Sequence, residues 1–288
     1  MKSLLFAALA AAAFALPAHA APIRILAAEN FYGQAAEAIG GDRVAVDSVI
    51  IAPDTDPHDF DPTPSVARQV ADAKIVIMNG ADYDPWMARL VGSNMVDGRV
   101  VIDVAALSAH RPGDNPHVWY DPKAMPALAT ALTDELTKLD PAGKAGYEQR
   151  RDAYIAALAP IGARVAELRA KYAGTPVVAT EPVFGYMAEA LGLKMENQAF
   201  QTAVMNETEP AASDIAAMED AIRAGKVKVL FYNSQVEDAF TRNLAALAKS
   251  SGVPLVPVTE TEPAGKSFAQ WMLDTLDATA KALDHKTS

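Results

Sequence analysis

Residues 141–172 read "PAGKAGYEQRRDAYIAALAPIGARVAELRAKY", and they decide how the chain is organised. No strand-like run interrupts them. Tyr147, Tyr154, Leu158, Ile161, Val165, Leu168 and Tyr172 mark one face: from Tyr154 onward the spacings alternate between four and three, the stripe of a single helix. A helix of about 30 residues extends roughly 45 Å at 1.5 Å per residue. That is longer than one small lobe needs internally, so the segment reads as a strut between two. Pro160 lies inside it, lacks a backbone N–H, and costs about 3 kcal/mol or bends the helix. The sequence therefore predicts a helix kinked or broken at Pro160, or else two helices joined there.

On both sides of the strut, short β-branched runs alternate with helical patterns. Before it, Ile23–Leu26, Val44–Ile51, Ala73–Met78 and Val100–Ile102 read as strands. Helices fit Phe31–Ile39 and a segment begun at Pro64-Ser65, and Asp121-Pro122 opens another. After it, Pro176–Ala179, Lys194–Asn197, Val227–Tyr232 and Pro254–Val258 read as strands. Helices fit Val183–Leu191, Ser213–Ala224 with Gly225 as its stop, and Glu237–Ser250 ended by Gly252; Ser267 caps a final amphipathic helix. Such alternation argues for parallel βα units. The expected fold class is α/β: two lobes, each a small mostly parallel sheet with flanking helices, joined by one long helix, with a ligand cleft between the lobes. The expected divisions are a leader at 1–20, an N-terminal lobe at 21–140, the linking helix at 141–173 and a C-terminal lobe at 174–288. No internal repeat is evident in the sequence.

The leader, "MKSLLFAALAAAAFALPAHA", has a positive start at Lys2, an apolar run from Leu4 to Leu16 and a small-x-small site at Ala18-His19-Ala20. Cleavage before Ala21 and export to the periplasm are expected, an uncleaved anchor being the alternative. The chain has no cysteine, which excludes disulfides, thiolate metal sites, cysteine nucleophiles and a lipid attached at a mature N-terminal Cys. Any ion must be held by oxygen and imidazole nitrogen. With 36 acidic against 25 basic residues, one of the latter in the leader, the mature chain carries −12. That charge repels nucleic acid and favours cations.

Outside the leader the histidines are His58, His110, His117 and His285. His285 lies in the polar tail, and His110 stands next to Arg111, which disfavours a cation. His58 in "DTDPHDFDPTPS" and His117 in "DNPHVWYDP" each follow a proline, in loops after strands of the first lobe. In open parallel sheets such loops converge on a crevice. Two imidazoles held stiffly there suit a metal; the alternative is two loop histidines bonded to backbone. Pro57, Pro62 and Pro64 stiffen the first loop, and a fixed ligand loses less entropy on binding. The aspartates around His58 either orient its ring or form turns and caps. From the second lobe, Glu181 follows a strand directly, where a carboxylate also suits a helix N-terminus. Glu260 follows the last strand, with Glu262 and Glu207 as competitors.

With these residues in place, the chain resembles the metal-binding solute-binding proteins of bacterial ABC importers for zinc, manganese and iron. The resemblance runs through "DPHDFDPTPS", "GADYDPWM", "NPHVWYDP", "ATEPVFGYMAEALGL", "VLFYNSQ" and "TETEPAGKSFAQWM", almost the whole mature chain. It implies two α/β lobes on a rigid long helix with one divalent ion in the cleft, held by His58, His117, Glu181 and Glu260. Many zinc importers of that family have His at the third position and more members have Asp at the fourth. The long His-rich loop of many zinc-specific members is replaced by the short segment Val104–Asn115. The resemblance implies manganese or iron as cargo, with zinc close behind. It implies an inner-membrane permease with its cytoplasmic ATPase as partner, no nucleic acid, and a monomer. A secreted metal-dependent hydrolase and a surface adhesin are the alternatives. The sequence contains no HExxH, no Ser-His-Asp constellation and no nucleophile elbow.

Overall fold

The expected strut is a single helix of 29 residues, Lys144–Tyr172, that continues through Pro160 without a break. It belongs to a computed structural model that describes residues 21–52, 55, 60–206, 208–235 and 239–285. The stripe faces inward as its spacing requires, with Tyr147, Leu158, Ile161, Leu168 and Tyr172 buried. Pro160 is exposed, and so is Ala156, whose carbonyl the missing N–H would have bonded. The helix is therefore not split into two at Pro160: the carbonyl that loses its partner belongs to an exposed residue, where solvent can take up the bond.

The chain runs β1 (Ile23–Glu29), α1 (Asn30–Gly40), β2 (Val44–Ile50), α2 (Pro64–Asp72), β3 (Ile75–Met78), α3 (Pro85–Ser93), β4 (Val100–Asp103), α4 (Val104–Leu107), α5 (Ala124–Leu139) and the long α6 (Lys144–Tyr172). It continues with β5 (Pro176–Ala179), α7 (Gly185–Ala190), β6 (Lys194–Met195), α8 (Gln198–Met205), α9 (Ala212–Arg223), β7 (Leu230–Asn233), α10 (Ala239–Ser250), β8 (Leu255–Val258) and α11 (Phe268–Leu283). Each lobe holds one four-stranded sheet, in the orders β2-β1-β3-β4 and β6-β5-β7-β8. Every pairing is parallel. The same order occurs twice, a repeat that the sequence does not display. In each sheet the chain turns outward in both directions from the first and third strands, which opens a crevice at their carboxyl ends.

Several elements differ from the sequence reading. The helices α3, α4 and α8 were not anticipated. The strand expected over Lys194–Asn197 pairs only through Met195, because Asn197 takes a left-handed conformation (φ 56°) and leads directly into α8. β7 begins at Leu230 rather than Val227. Ser267 does cap α11, its hydroxyl accepting from the Gln270 N–H.

The two lobes share one apolar core. Phe31 of the first lobe lies 5.8 Å from Trp271 of the second, centroid to centroid, and 5.4 Å from Trp119 of its own lobe. Tyr120 meets Trp271 at 5.7 Å and Phe184 at 5.6 Å, edge to face. Its hydroxyl donates to the Thr259 carbonyl at 3.0 Å. The long helix packs on α1 and α5 of one lobe and α11 of the other. Arg150 ties it to the first lobe, donating from Nε and Nη2 to the Ile39 and Gly40 carbonyls at the end of α1.

Two glycines in these helices give opposite expectations. A Cβ at Gly162, in mid-helix and exposed, meets nothing within 4 Å. Gly162→Ala should stabilise the protein by about 1 kcal/mol through helix propensity. At Gly40 a Cβ would stand 2.3 Å from Val44 Cγ2, so Gly40→Ala should destabilise it. Urea melts of the two variants beside the wild type measure both signs.

Candidate metal centre

The strand ends of both lobes face the cleft, and the side chains there come from loops after β4, β5, β7 and β8. His117 follows Pro116 and precedes the single turn Val118–Tyr120. Its ring is fully buried, edge-on to Tyr83 (5.9 Å) and Trp119 (5.3 Å). Nδ1 lies 2.7 Å from Asn115 Oδ1, and Nε2 lies 3.6 Å from Glu260 Oε2. The imidazole of one lobe thus points at a carboxylate of the other.

Glu181 follows β5 in extended conformation, and its side chain makes no capping bond to the turn Pro182–Phe184. Instead its Oε2 accepts from Asn233 Nδ2 at 2.6 Å. The same nitrogen donates to Glu260 Oε1 at 2.7 Å. Glu181, Glu260 and Asn233 are all buried, so this amide joins two carboxylates where water has little access. Gln235 holds the loop after β8, its Oε1 accepting from the Glu260 N–H and its Nε2 donating to Thr261 Oγ1 at 2.7 Å.

Glu260 therefore meets His117 across the cleft and is joined to Glu181 through Asn233. His58 lies outside the described residues, as do three of the aspartates around it and the competitor Glu207. The other competitor, Glu262, is buried but occupied by the Gln34 Nε2 donor. Burial pushes its carboxyl up to about 7. His110 is placed apart, with Nε2 3.3 Å from Asp121 Oδ2 and its ring 4.3 Å from that of Tyr186. His285 is exposed. Among the described residues, no three His, Asp or Glu side chains are gathered closely enough to hold an ion by themselves.

The sequence reading missed Asn233, Asn115 and Tyr83. Asn233 ends an apolar strand at the same edge as Glu181, and that position was the available signal. Tyr83 comes from the loop after β3, where Gly80, Ala81 and Asp82 all have positive φ (78°, 49° and 64°). Asp84 holds this loop by accepting from the Asn79 and Gly80 N–H groups at 2.7 Å and 2.9 Å. Burial, then the charge on Glu260, holds the Tyr83 hydroxyl well above its ordinary pKa.

The first lobe carries an echo of the Glu181–Asn233 pair. Continuing the registers Ala27↔Ile77 and Ala179↔Phe231 by two residues sets Glu29 opposite Asn79 and Glu181 opposite Asn233. Asn79 spends its amide on the Gly80 and Pro116 carbonyls and accepts from Tyr32 Oη. Glu29 is fully buried, and among the described residues neither carboxylate oxygen has a hydrogen-bond partner. Burial, then the charge on Asp84, raises its pKa well above the ordinary carboxylate value.

The chain is thus a two-lobed parallel α/β fold on one long helix, with an imidazole of one lobe facing a carboxylate of the other across the cleft. The periplasmic zinc-binding protein TroA from Treponema pallidum has this fold: TM-score 0.77 and 21% identity, over 92% of this chain and 100% of that one. The manganese-binding lipoprotein MntA of Halalkalibacterium halodurans is 24% identical over 253 residues, 84% of this chain and 80% of its own. The iron ABC transporter substrate-binding lipoprotein MtsA of Streptococcus pyogenes is 22% identical over 280 residues, 88% and 87% respectively. Residues 25–282 match the family ZnuA, zinc-uptake complex component A, periplasmic, and the chain belongs to that family.

Asp84 gives the site a measurable pH signature. Burial pushes its carboxyl up to about 6 against the opposing N–H bonds. A carboxyl that holds its proton more tightly folded than unfolded makes folding less favourable as pH rises between its two pKa values, here from about 4 to 6. The loss is about 3 kcal/mol across that window. Asp84→Asn retains an oxygen for the N–H groups and has no proton to lose. Urea melts across that window should show a flatter profile for this variant than for the wild type.

Proposed function

We infer that this protein is the extracytoplasmic solute-binding component of an ABC importer, and that it captures one divalent transition metal ion for delivery to a membrane permease. One observation supports the reading: buried His117 of one lobe faces buried Glu260 of the other, and Asn233 links Glu260 to buried Glu181. Imidazole nitrogen and carboxylate oxygen are the donors that Mn, Fe and Zn accept. Three ionisable groups buried together cost folding energy that a cation would offset. The ligand set is His58, His117, Glu181 and Glu260, with His58 supplied by the proline-rich loop after β2. The donors are neutral imidazole and ionised carboxylate, so protons compete with the ion. The remaining parts of the reading are a chain exported by cleavage before Ala21, acting as a monomer in the periplasm and served by a permease with its cytoplasmic ATPase.

The cargo we assign is manganese or iron, with zinc the nearest competitor. Two carboxylates supply charge and, when both oxygens of one bind, raise coordination above the four that zinc prefers. Relatives named for manganese, iron and zinc all share this fold or family, so cargo follows from the donors rather than from the architecture. Metal analysis of protein purified without chelators from several growth media tests the assignment.

Two outcomes are expected. An ion that binds only the folded chain stabilises it by about 4 kcal/mol at a thousandfold excess over Kd. The thermal midpoint should therefore rise with Mn2+ or Zn2+, fall back with chelator, and lose the gain in acid. His58→Ala and His117→Ala should each weaken binding by at least roughly tenfold in calorimetry; unchanged affinity in either removes that residue from the set.

Glu181 decides between metals. Glu181→His removes a negative charge that a hard ion such as Mn2+ relies on and leaves the nitrogen-rich donors that zinc favours. Competition titrations should show Mn2+ affinity falling much further than Zn2+ affinity. An unchanged ratio would exclude Glu181 as a ligand.

A further inference from the structure

We propose that Asn115 is a positioning residue that performs two tasks with one side chain: it fixes which nitrogen of His117 faces the cleft, and it straps the two lobes together there. The amide spans the gap. Its Nδ2 donates to the Pro182 carbonyl, the residue after Glu181, at 2.7 Å. Because that end is a donor to a carbonyl, the other end is the oxygen, and Oδ1 lies 2.7 Å from His117 Nδ1 and 3.2 Å from the His117 backbone N–H. An amide oxygen only accepts, so Nδ1 carries the ring proton. In the neutral ring Nε2 is then the lone-pair nitrogen, the one 3.6 Å from Glu260 Oε2. The Asn115 backbone adds a second strap by accepting from Tyr186 Oη at 2.6 Å.

Gly185 makes room for this contact. Its backbone is helical and needs no glycine for conformational reasons (φ −55°). A Cβ there, however, would stand 2.6 Å from Asn115 Nδ2. The glycine lets the amide reach Pro182. Opening the cleft breaks the Pro182 bond and frees the amide to rotate, so separating the lobes also loosens the hold on His117. Lobe closure and imidazole direction are thereby coupled through one planar group.

The consequence for cargo release rests on the metal-capture reading; the tautomer does not. Three variants divide the tasks. Asn115→Asp keeps an oxygen toward Nδ1 and sets a carboxylate against the Pro182 carbonyl, so it releases the strap and spares the tautomer. Gly185→Ala does the same from the opposite lobe. Asn115→Ala removes both functions. Nitrogen NMR of metal-free protein, at a pH where the His117 ring is neutral, should find the proton on Nδ1 in wild type, Asn115→Asp and Gly185→Ala, and mixed tautomers in Asn115→Ala. Stopped-flow transfer of Zn2+ to a chelator should run about ten- to a hundredfold faster in all three variants, the range measured for residues that support metal ligands. Wild-type His117 protonated at Nε2, or variants releasing Zn2+ at the wild-type rate, would overturn the proposal. A wild type that loads none of Zn2+, Mn2+ and Co2+ would instead sink the metal-capture reading, while the tautomer comparison still decides the role of Asn115.

Discussion

The contact on which the rest depends is the aromatic packing between the lobes. Phe31, Trp119 and Tyr120 meet Phe184, Phe268 and Trp271 directly beneath the cleft. Large rings contribute the most apolar area per residue and prefer tilted or edge-on geometries, and those geometries hold the lobes in one orientation. The long helix could set the distance between two lobes but not their mutual rotation. With the rings in place, His117 and Glu260 lie on loops whose bases are fixed, so a distance of 3.6 Å between their side chains is a property of the fold rather than of a loop conformation.

Above that apolar floor the cleft gathers more acid than a core normally tolerates. Glu29, Asp84, Glu181, Glu260 and Glu262 are all buried. Neutral amides and backbone groups manage the repulsion. Asn233 serves two carboxylates, Gln34 serves Glu262, and the N–H groups of Asn79 and Gly80 serve Asp84. Amides are suited to the task because they donate hydrogen bonds without adding a cationic side chain that would repel an incoming ion. The same economy shapes the loop Gly80-Ala81-Asp82, where three left-handed residues are held by one carboxylate at the cost of its ordinary pKa. Strain of this kind persists only where surrounding contacts over-determine it.

The long helix was legible because its stripe is strictly periodic, and the strands because β-branched runs stand out between helices. Pro160 does not split the helix: its effect depends on which side of the helix the orphaned carbonyl faces, and the residue type does not carry that. α8 was hidden because Asn197 starts it from a left-handed conformation, after a segment that looks extended. For the site, Glu181 and Glu260 could be read as acids just past apolar strands, and His117 as a histidine stiffened by proline. Asn233 shares that strand-end position but is a neutral amide, and Asn115 lies in a loop with no such mark. The importance of both comes from reaching partners 52 and 67 residues away in the chain.

The matching registers of the two sheets have a consequence for how the halves divide labour. Each lobe offers an acid at the tip of its first strand and an asparagine opposite it, Glu29 with Asn79 and Glu181 with Asn233. The symmetry ends at the amides. In the second half the nitrogen goes to the carboxylates; in the first it goes to the Pro116 carbonyl, the peptide immediately before His117. One asparagine therefore tends acid and the other tends the backbone that presents imidazole. Glu29, left without its donor, is the residue that the division abandons. One scaffold used twice thus carries two different polar arrangements, with an imidazole at the cleft edge of one half and carboxylates at that of the other.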